Sequence, residues 1–224
     1  MKKFLVAGIA AAALYSAPGL AADYPAKGSP APSVFNWTGF YVGANLGSIG
    51  VQSKKLPALG DNNPSGSDWA YGGQAGANIQ WGSLVLGVET SGVWTKLMAD
   101  NPCFNPAFRC DLGVNHQYDV RGRVGIAANN ILFYGTAGKA WTDPHGFTQI
   151  IATGATFPAG TKRTGTVWGG GVEMAMAGNW ILGAEYLHTD FGTQMHTYDT
   201  VYTVPVKTWE ARARLSYLFN WMGR

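Results

Sequence analysis

Charged residues recur at alternate positions in several short segments of this sequence. Arg121 and Arg123 form one such pair, and Arg212 and Arg214 form another. Residues two apart in a β-strand point to the same side of it. A buried charge is tolerated only when it is paired. We therefore predict one network of ion pairs inside the fold, made by Glu89, Arg121, Arg123, Glu173, Glu185, Glu210, Arg212 and Arg214.

This network allows two functions, and Lys139 is a further candidate member of it. In the first, the paired charges fill the interior as a structural plug. In the second, they line a narrow, water-filled pore for small solutes. The residue pattern favours the plug and leaves the pore as the alternative.

The histidines are the candidates for catalysis, at positions 116, 145, 188 and 196. A serine hydrolase needs a serine beside a histidine base that a carboxylate orients. His188 and Asp190 could be the base and its carboxylate, but no serine lies within two residues of any histidine. The histidine spacing also matches no metal-ligand motif. We predict no enzyme activity, no metal and no cofactor, with a lipid-modifying barrel enzyme as the least favoured function.

Eight segments alternate between apolar and polar residues with a period of two, which predicts β-strands. They are Trp37–Ile49, Ala70–Gln80, Leu84–Thr95, His116–Ala127, Ile131–Ala140, Thr164–Ala175, Trp180–His188 and Val206–Phe219. The connections between them run 20, 3, 20, 3, 23, 4 and 17 residues. Short turns at one end and long loops at the other are typical of transmembrane barrels. The sequence therefore predicts an all-β fold, an eight-stranded antiparallel up-and-down transmembrane β-barrel.

The distribution of charge between the two strand faces separates a membrane barrel from a soluble one. In the last segment, Ala211, Ala213 and Leu215 alternate with Arg212 and Arg214. An eight-stranded barrel has an interior only wide enough for its own side chains. A soluble barrel fills that space with apolar residues, whereas here the glycines and charges share one face. We therefore expect a polar interior and a lipid-facing exterior, although both faces of Ile131–Ala140 are largely apolar.

Tryptophans cluster at the ends of the predicted strands. Membrane interfaces select aromatic residues, so these tryptophans predict two girdles. The predicted girdle residues are Trp37, Trp81, Trp180 and Trp221 at one end, and Trp69, Trp94, Trp141 and Trp209 at the other. Trp168 is the exception, because it lies inside a strand.

The N-terminus predicts export. Lys2 and Lys3 precede the apolar run Phe4–Leu14, and small residues lead to Ala21. This is the layout of a secretory signal peptide over residues 1–21. A membrane-anchoring helix is the alternative, but the apolar run has eleven residues where about 20 are needed to span a bilayer.

The remaining chain divides into a proline-containing lead, residues 22–36, and a barrel domain, residues 37–224. We interpret the lead as a flexible periplasmic segment. Without Lys2 and Lys3 the chain has 14 basic and 13 acidic residues, a net charge of +1. That balance gives no basic face for nucleic acid.

Two cysteines, Cys103 and Cys110, lie seven positions apart in the segment NPCFNPAFRC. Exported proteins meet an oxidising compartment, so we predict a disulfide that closes a short loop. A metal site is the alternative, but no histidine or further cysteine lies nearby to complete it.

Several motifs resemble the porin-like outer-membrane immunogenic proteins of α-proteobacteria. They are Asn36–Gly43 (NWTGFYVG), Val120–Gly125 (VRGRVG), Gly169–Glu173 (GGGVE), Asn179–Trp180, Ala184–Leu187 (AEYL) and Asp190–Gly192 (DFG). The resemblance implies an outer-membrane barrel and no single biochemical activity. Members of this group usually end on an aromatic residue that barrel-assembly machinery reads. Here Asn220–Arg224 follow Phe219, while Leu215, Tyr217 and Phe219 keep the alternating pattern.

We therefore expect an integral protein of the cell outer membrane with a structural or surface-interaction role in the envelope. Its expected partners are outer-membrane lipid, the barrel-assembly machinery, and an extracellular ligand that contacts the long loops at residues 50–69 and 141–163.

Overall fold

The structure, a computed structural model, describes residues 35–53, 65–102, 107–158, 162–197 and 201–220. Its strands, in chain order β1 to β9, are Gly39–Ser53, Ser65–Trp81, Leu84–Pro102, Phe108–Ala128, Ile131–Ile150, Thr156–Pro158, Arg163–Ala175, Trp180–Thr197 and Val201–Phe219. Among these residues, no helix is long and apolar enough to cross a membrane.

Eight of the strands form a closed ring, which confirms the predicted antiparallel up-and-down barrel. Each strand of the ring pairs with the ring strands that precede and follow it in the chain, so β4 pairs with β5 and β5 with β7. The pairing of β1 with β9 closes the ring. The short β6 lies outside the ring and pairs only with β5. Closure removes the edges of the ring, so each of its eight strands has a hydrogen-bonded partner on both sides.

The short connections all lie at one end of the barrel, the turn end. Gly82 and Asn129 adopt the left-handed conformation that tight hairpin turns require. Gly178 and Asn179 do the same in a 3-10 turn between β7 and β8. At this end the backbone amide of Trp37 donates to Gln80 at 2.7 Å, which fixes the start of the chain's first wall strand.

The opposite end, the loop end, contains more strand than the sequence predicted. Pairing continues to Pro102 with Arg109 between β3 and β4, and to Thr197 with Val201 between β8 and β9. Much of residues 96–115, 141–163 and 189–205 is therefore strand, and those predicted loop boundaries were wrong. The physical reason is that hairpin pairing above the bilayer needs no apolar face, so the alternation used to find strands fades there.

The register fixes the tilt of the wall. Following paired residues around the ring leads from Trp94 through Tyr71, Leu46, Ala213, Ala184, Val172, Phe133 and Ile126 to Leu84. The path returns to β3 at residue 84 instead of 94, a shear of ten residues. For eight strands this shear corresponds to a tilt of roughly 40° from the barrel axis.

The two faces of the wall have opposite chemistry, as predicted. The burial of side chains alternates strictly along most strands, and β7 shows this pattern at both of its ends. Val88, Val120 and Phe133 face outward and are more than half exposed. Their neighbours Glu89 and Arg121 face inward and are buried. Apolar side chains therefore face the surroundings, and the charged ones lie in the interior.

Candidate functional site

The predicted charged residues face the lumen because each lies at an inward position of its strand. The register places Glu89 of β3 opposite Arg121 of β4, and Glu185 of β8 opposite Arg212 of β9. Directly opposed side chains in an antiparallel pair lie close enough to interact. Opposite charges are therefore neighbours on adjacent strands, in addition to the contacts that they make across the lumen.

Glycines face three of the remaining charged side chains, Glu173, Arg214 and Arg123. Gly183 lies opposite Glu173 on one side and Arg214 on the other. A Cβ atom on Gly183 would lie 2.8 Å from Cγ of Glu173. Gly87 lies opposite Arg123, and a Cβ there would lie 3.1 Å from Cγ of Arg123. These positions need glycine because long side chains cross the space above them.

Glu185 is the acidic centre of the network. Its Oε1 accepts a hydrogen bond from Nη1 of Arg121 at 3.1 Å and lies 2.9 Å from Nη1 of Arg214. Its Oε2 accepts from Nε of Arg212 at 2.8 Å. The Tyr134 hydroxyl donates to Oε1 at 2.9 Å. The carboxylate is fully buried, and these donors come from three other strands.

Glu89 is the second centre, on the other side of the lumen. It forms close ion pairs with Arg121 and Arg214 and a longer one, 3.5 Å, with Arg123. The Tyr41 hydroxyl donates to its Oε2 at 2.6 Å. Because Arg121 and Arg214 contact both glutamates, the two centres form one connected cluster.

The other two glutamates lie at the edges of this cluster. Arg123 Nη2 donates to Glu173 Oε2 at 2.7 Å, and Arg214 lies 3.4 Å from Glu173 Oε1. Arg212 Nη1 donates to Glu210 Oε1 at 3.1 Å. The structure thus places all eight predicted lumen residues together in one buried cluster.

Three further residues belong to the cluster and were missed from the sequence. Asp119 lies 2.7 Å from Nε of Arg121 and accepts from the Ser91 hydroxyl at 2.7 Å. Tyr41 and Tyr134 supply hydroxyl donors, and the Arg123 guanidinium lies 4.0 Å from the centre of the Tyr134 ring. Asp119 shares the inward face of Arg121 and Arg123, so alternation alone could have found it. Tyr134 lies on β5, where both faces are largely apolar, so alternation does not identify its inward face.

Apolar layers close the lumen above and below the charges, and the alternation of the strands does not predict them. The lower layer, at the turn end, consists of Trp37, Tyr41, Val85, Leu132, Tyr134, Ala175, Ile181 and Leu218. The upper layer, at the loop end, consists of Ile49, Val51, Ala70, Val93, Leu97, Ala140, Val167, Leu187 and Phe191. Every one of these side chains is buried. The interior is therefore mainly apolar, then charged, then mainly apolar along its axis, and Gln117, Thr189 and Thr208 form a buried polar group within the upper layer.

Two predicted positions are corrected. Trp37 is fully buried in the lower layer and packs edge-on against Phe35, with ring centres 5.0 Å apart. Trp37 lies four positions before the inward-facing Tyr41, an even number, so its side chain also points inward. It does not belong to an outward girdle. Lys139 points outward, not into the lumen, and its Nζ donates to the Thr166 hydroxyl at 3.3 Å.

The other described tryptophans point outward. With the shear taken into account, those of the loop end lie at one level of the wall, within about one residue. They are Trp69, Trp94, Trp141 and Trp209. Trp81 and Trp180 lie roughly 25 Å below them along the axis, given the rise per residue and the tilt. Trp221 lies outside the described residues.

The remaining candidates do not form a site in the described part of the chain. His188 faces outward and stacks against Trp168 with ring centres 5.3 Å apart. Asp190 pairs instead with Lys207 at 2.8 Å. No group of three metal-ligating side chains occurs among the described residues. Cys103 lies outside the described residues, so the predicted disulfide with Cys110 stays a prediction.

Comparisons with known proteins agree with this architecture. Residues 7–219 match the family model of the outer membrane protein beta-barrel domain. The chain is 31% identical over 215 residues to the 31 kDa outer-membrane immunogenic protein of Brucella melitensis, covering 86% of this chain and 88% of that protein. It is 29% identical over 181 residues to a 22 kDa outer membrane protein of Rhizobium leguminosarum, covering 78% and 74%.

Among solved structures, neisserial surface protein A aligns with 81% of this chain and 98% of its own, at 17% identity and a TM-score of 0.46. The family match and the Brucella relative are sufficient by themselves to identify the chain. It belongs to the outer membrane protein β-barrel family, and it is an integral protein of the outer membrane.

Proposed function

We propose that this protein is a non-conducting barrel with a structural and surface-interaction role in the envelope. The observation that carries the proposal is the three-layer filling of the lumen. Water would have to pass the lower apolar layer, the ion-paired cluster and the upper apolar layer in turn. Hydrophobic constrictions exclude water from pores, and an interior of eight strands is filled by its own side chains.

Single-channel recording of the refolded protein in planar bilayers tests this proposal. We expect little or no steady conductance from the unmodified protein. A double variant, Leu132→Ala with Leu187→Ala, shortens one side chain in each apolar layer. It serves as the matched control in which the lumen is opened. Steady channels of nanosiemens size in the unmodified protein would contradict the proposal and make the protein a porin.

The narrow porin is the alternative function, and it depends on the charges lining a water thread. The contacts argue against this use of them. Glu89 contacts four arginines and Glu185 contacts three, so their oxygens are engaged with the protein. A conducting pore needs such groups free to exchange with water or solute.

We also propose that the protein has no enzymatic activity. His188 and Asp190, the best catalytic pair in the sequence, face different partners, a tryptophan ring and a lysine. A hydrolysis assay with phospholipid and with an acylated lipid tests this. Turnover that disappears in His188→Ala would contradict the proposal.

The proposed contacts with the envelope follow from the outer surface of the wall. The outward tryptophans at two levels suit the two membrane interfaces, about 25 Å apart in transmembrane barrels. Leu215, Tyr217 and Phe219 alternate along the end of β9 and suit recognition by barrel-assembly machinery. The extended hairpins at the loop end suit contact with a ligand outside the cell.

Two proposals about processing remain. Cleavage after Ala21 would leave residues 22–36 as a periplasmic lead, and N-terminal sequencing of the mature protein tests it. A Cys103–Cys110 disulfide would close the hairpin in which Pro102 pairs with Arg109. Free thiols in protein taken from intact cells would contradict it.

A further inference from the structure

The outer face of the wall carries one charge that its surroundings do not explain. Among the described residues that face outward between the two tryptophan levels, Lys139 is the only lysine, arginine, aspartate or glutamate. A charge facing lipid is unfavourable, and least so near the interface. Its one described polar contact is the Thr166 hydroxyl at 3.3 Å, which does not neutralise it.

Lys139 lies just below the outer interface, within reach of the headgroups of the outer leaflet. It is two residues below Trp141 on the same outward face of β5, and Trp141 pairs with Tyr118 of β4. Long loops face the cell exterior in such barrels, so the loop-end tryptophans mark the outer interface. A lysine just below that level extends its amine upward into the headgroups while its stem stays in the apolar region.

A groove runs down the wall directly below Lys139. Gly122, Gly135 and Ala137 form its floor, Leu86 and Val124 lie at its lower end, and Trp168 stands at its side. It holds about 600 Å³. A Cβ on Gly122 would meet only one atom, 4.0 Å away, and one on Gly135 only one, 3.9 Å away. The space outside these glycines is therefore open to lipid.

We propose that this wall is a specific binding site for a phosphorylated outer-leaflet lipid, lipid A. Its phosphate pairs with the Lys139 amine, and one acyl chain lies in the groove beside Trp168. From the loop end toward the turn end, the interface residue Trp141, the cation Lys139 and the groove follow one another, which is the order of headgroup and acyl chain in such a lipid. The site lies outside the lumen and does not depend on whether the barrel conducts.

Native mass spectrometry of the folded, detergent-solubilised protein tests the site with bis-phosphorylated lipid A and its phosphate-free counterpart as probes. We expect the phosphorylated form to bind about fivefold more tightly, as one interfacial lysine contributes on anionic lipid. Lys139→Gln removes this preference. Lys207→Gln, which removes a lysine already paired with Asp190, leaves it unchanged.

A second pair of variants tests the groove. Gly135→Leu fills the groove without meeting the core and lowers the binding of both lipids severalfold. Ala184→Leu, at an outward position of β8, leaves binding within twofold of the unmodified protein. A slower-migrating heated band on detergent gels verifies that each variant is folded.

Four results would overturn the proposal. Lys139→Gln could retain the phosphate preference, or Gly135→Leu could leave lipid binding unchanged. Phosphatidylglycerol could also bind as tightly as lipid A, which would remove the assignment to this lipid. A dimer that Gly135→Leu dissociates would assign the groove to a second copy of the chain instead.

Discussion

Two acidic residues on β8, Glu185 and Asp190, make the same kind of ion pair in different surroundings. Glu185 lies in the lumen, fully buried, among Arg121, Arg212 and Arg214. Asp190 lies at the loop-end rim and pairs with Lys207 at 2.8 Å, with 39% and 45% of the two side chains exposed. Removing one partner of a buried ion pair lowers the free energy of unfolding by about 3–5 kcal/mol, whereas an exposed ion pair contributes about 0–1 kcal/mol to it.

The comparison teaches that position in the barrel, more than the type of contact, sets what an ion pair contributes. At the rim, water replaces a lost partner. The cluster has apolar layers on both sides. If one partner of an ion pair is removed there, no water takes its place and the other charge stays unpaired. The following variants test this difference from the largest expected effect to the smallest.

Glu185→Ala should have the largest effect. It leaves three buried guanidinium groups short of an acceptor, so we expect the free energy of unfolding to fall by about 3–5 kcal/mol. Reversible urea unfolding in lipid vesicles measures it. Asp190→Ala is the control on the same strand, and equal losses in the two variants would refute the difference between cluster and rim.

Leu132→Ala should have the next largest effect, because it opens a cavity in the lower apolar layer, where Leu132 is fully buried. We expect a loss of about 2–4 kcal/mol in the same unfolding experiment. Leu182→Ala removes the same side chain from the outward face and should cost less, because lipid fills the space. A larger loss in Leu182→Ala would mean that the lumen is loosely packed.

Replacing both cysteines with serine tests the rim of the β3–β4 hairpin. A disulfide there closes a short loop, so its removal should lower the free energy of unfolding by at most about 3 kcal/mol. The folded barrel should persist, as judged by migration of unheated protein on gels. Loss of the folded form would show that this hairpin supports the wall.

The Asp190–Lys207 pair should give the smallest effect, visible through pH. Hydrogen bonds from Lys207 and from the Gly192 amide lower the pKa of Asp190 at the exposed rim. Its stabilisation is therefore present above the ordinary aspartate pKa, near 4, and is lost as the pH falls through the lowered value. We expect wild type and Asp190→Asn to differ by at most about 1 kcal/mol at pH 7 and to converge near pH 2.

The wall of the barrel could be predicted from the sequence because lipid imposes a simple rule. Outward positions in the bilayer must be apolar, so alternation identified the eight strands and the inward direction of Glu89, Arg121 and their partners. At the loop end water imposes no such rule. Alternation therefore does not distinguish the loop-end parts of β3, β4, β5, β8 and β9 from loops.

The interior layers could not be predicted, because inward positions obey no single rule. Leu132 and Val85 face inward at the turn end, while Glu89 faces inward at mid-height. Which kind of side chain fits depends on what lies across the lumen, and that depends on a shear of ten that only the paired register reveals. Trp37 is an inward residue for a related reason: it lies four positions before Tyr41 and points to the same, buried side.

The contacts across the lumen also constrain the order of events in folding. Glu89 of β3 pairs with Arg214 of β9, 125 positions away, and Glu185 of β8 pairs with Arg121 of β4, 64 positions away. None of these pairs can form in an open sheet. A partly assembled wall would keep the pairs on adjacent strands, Glu89–Arg121 and Glu185–Arg212, but it would present guanidinium groups without their partners across the lumen to the bilayer interior, where unpaired charge is strongly disfavoured. Ring closure and passage into the membrane are therefore coupled, and insertion should proceed as one cooperative step.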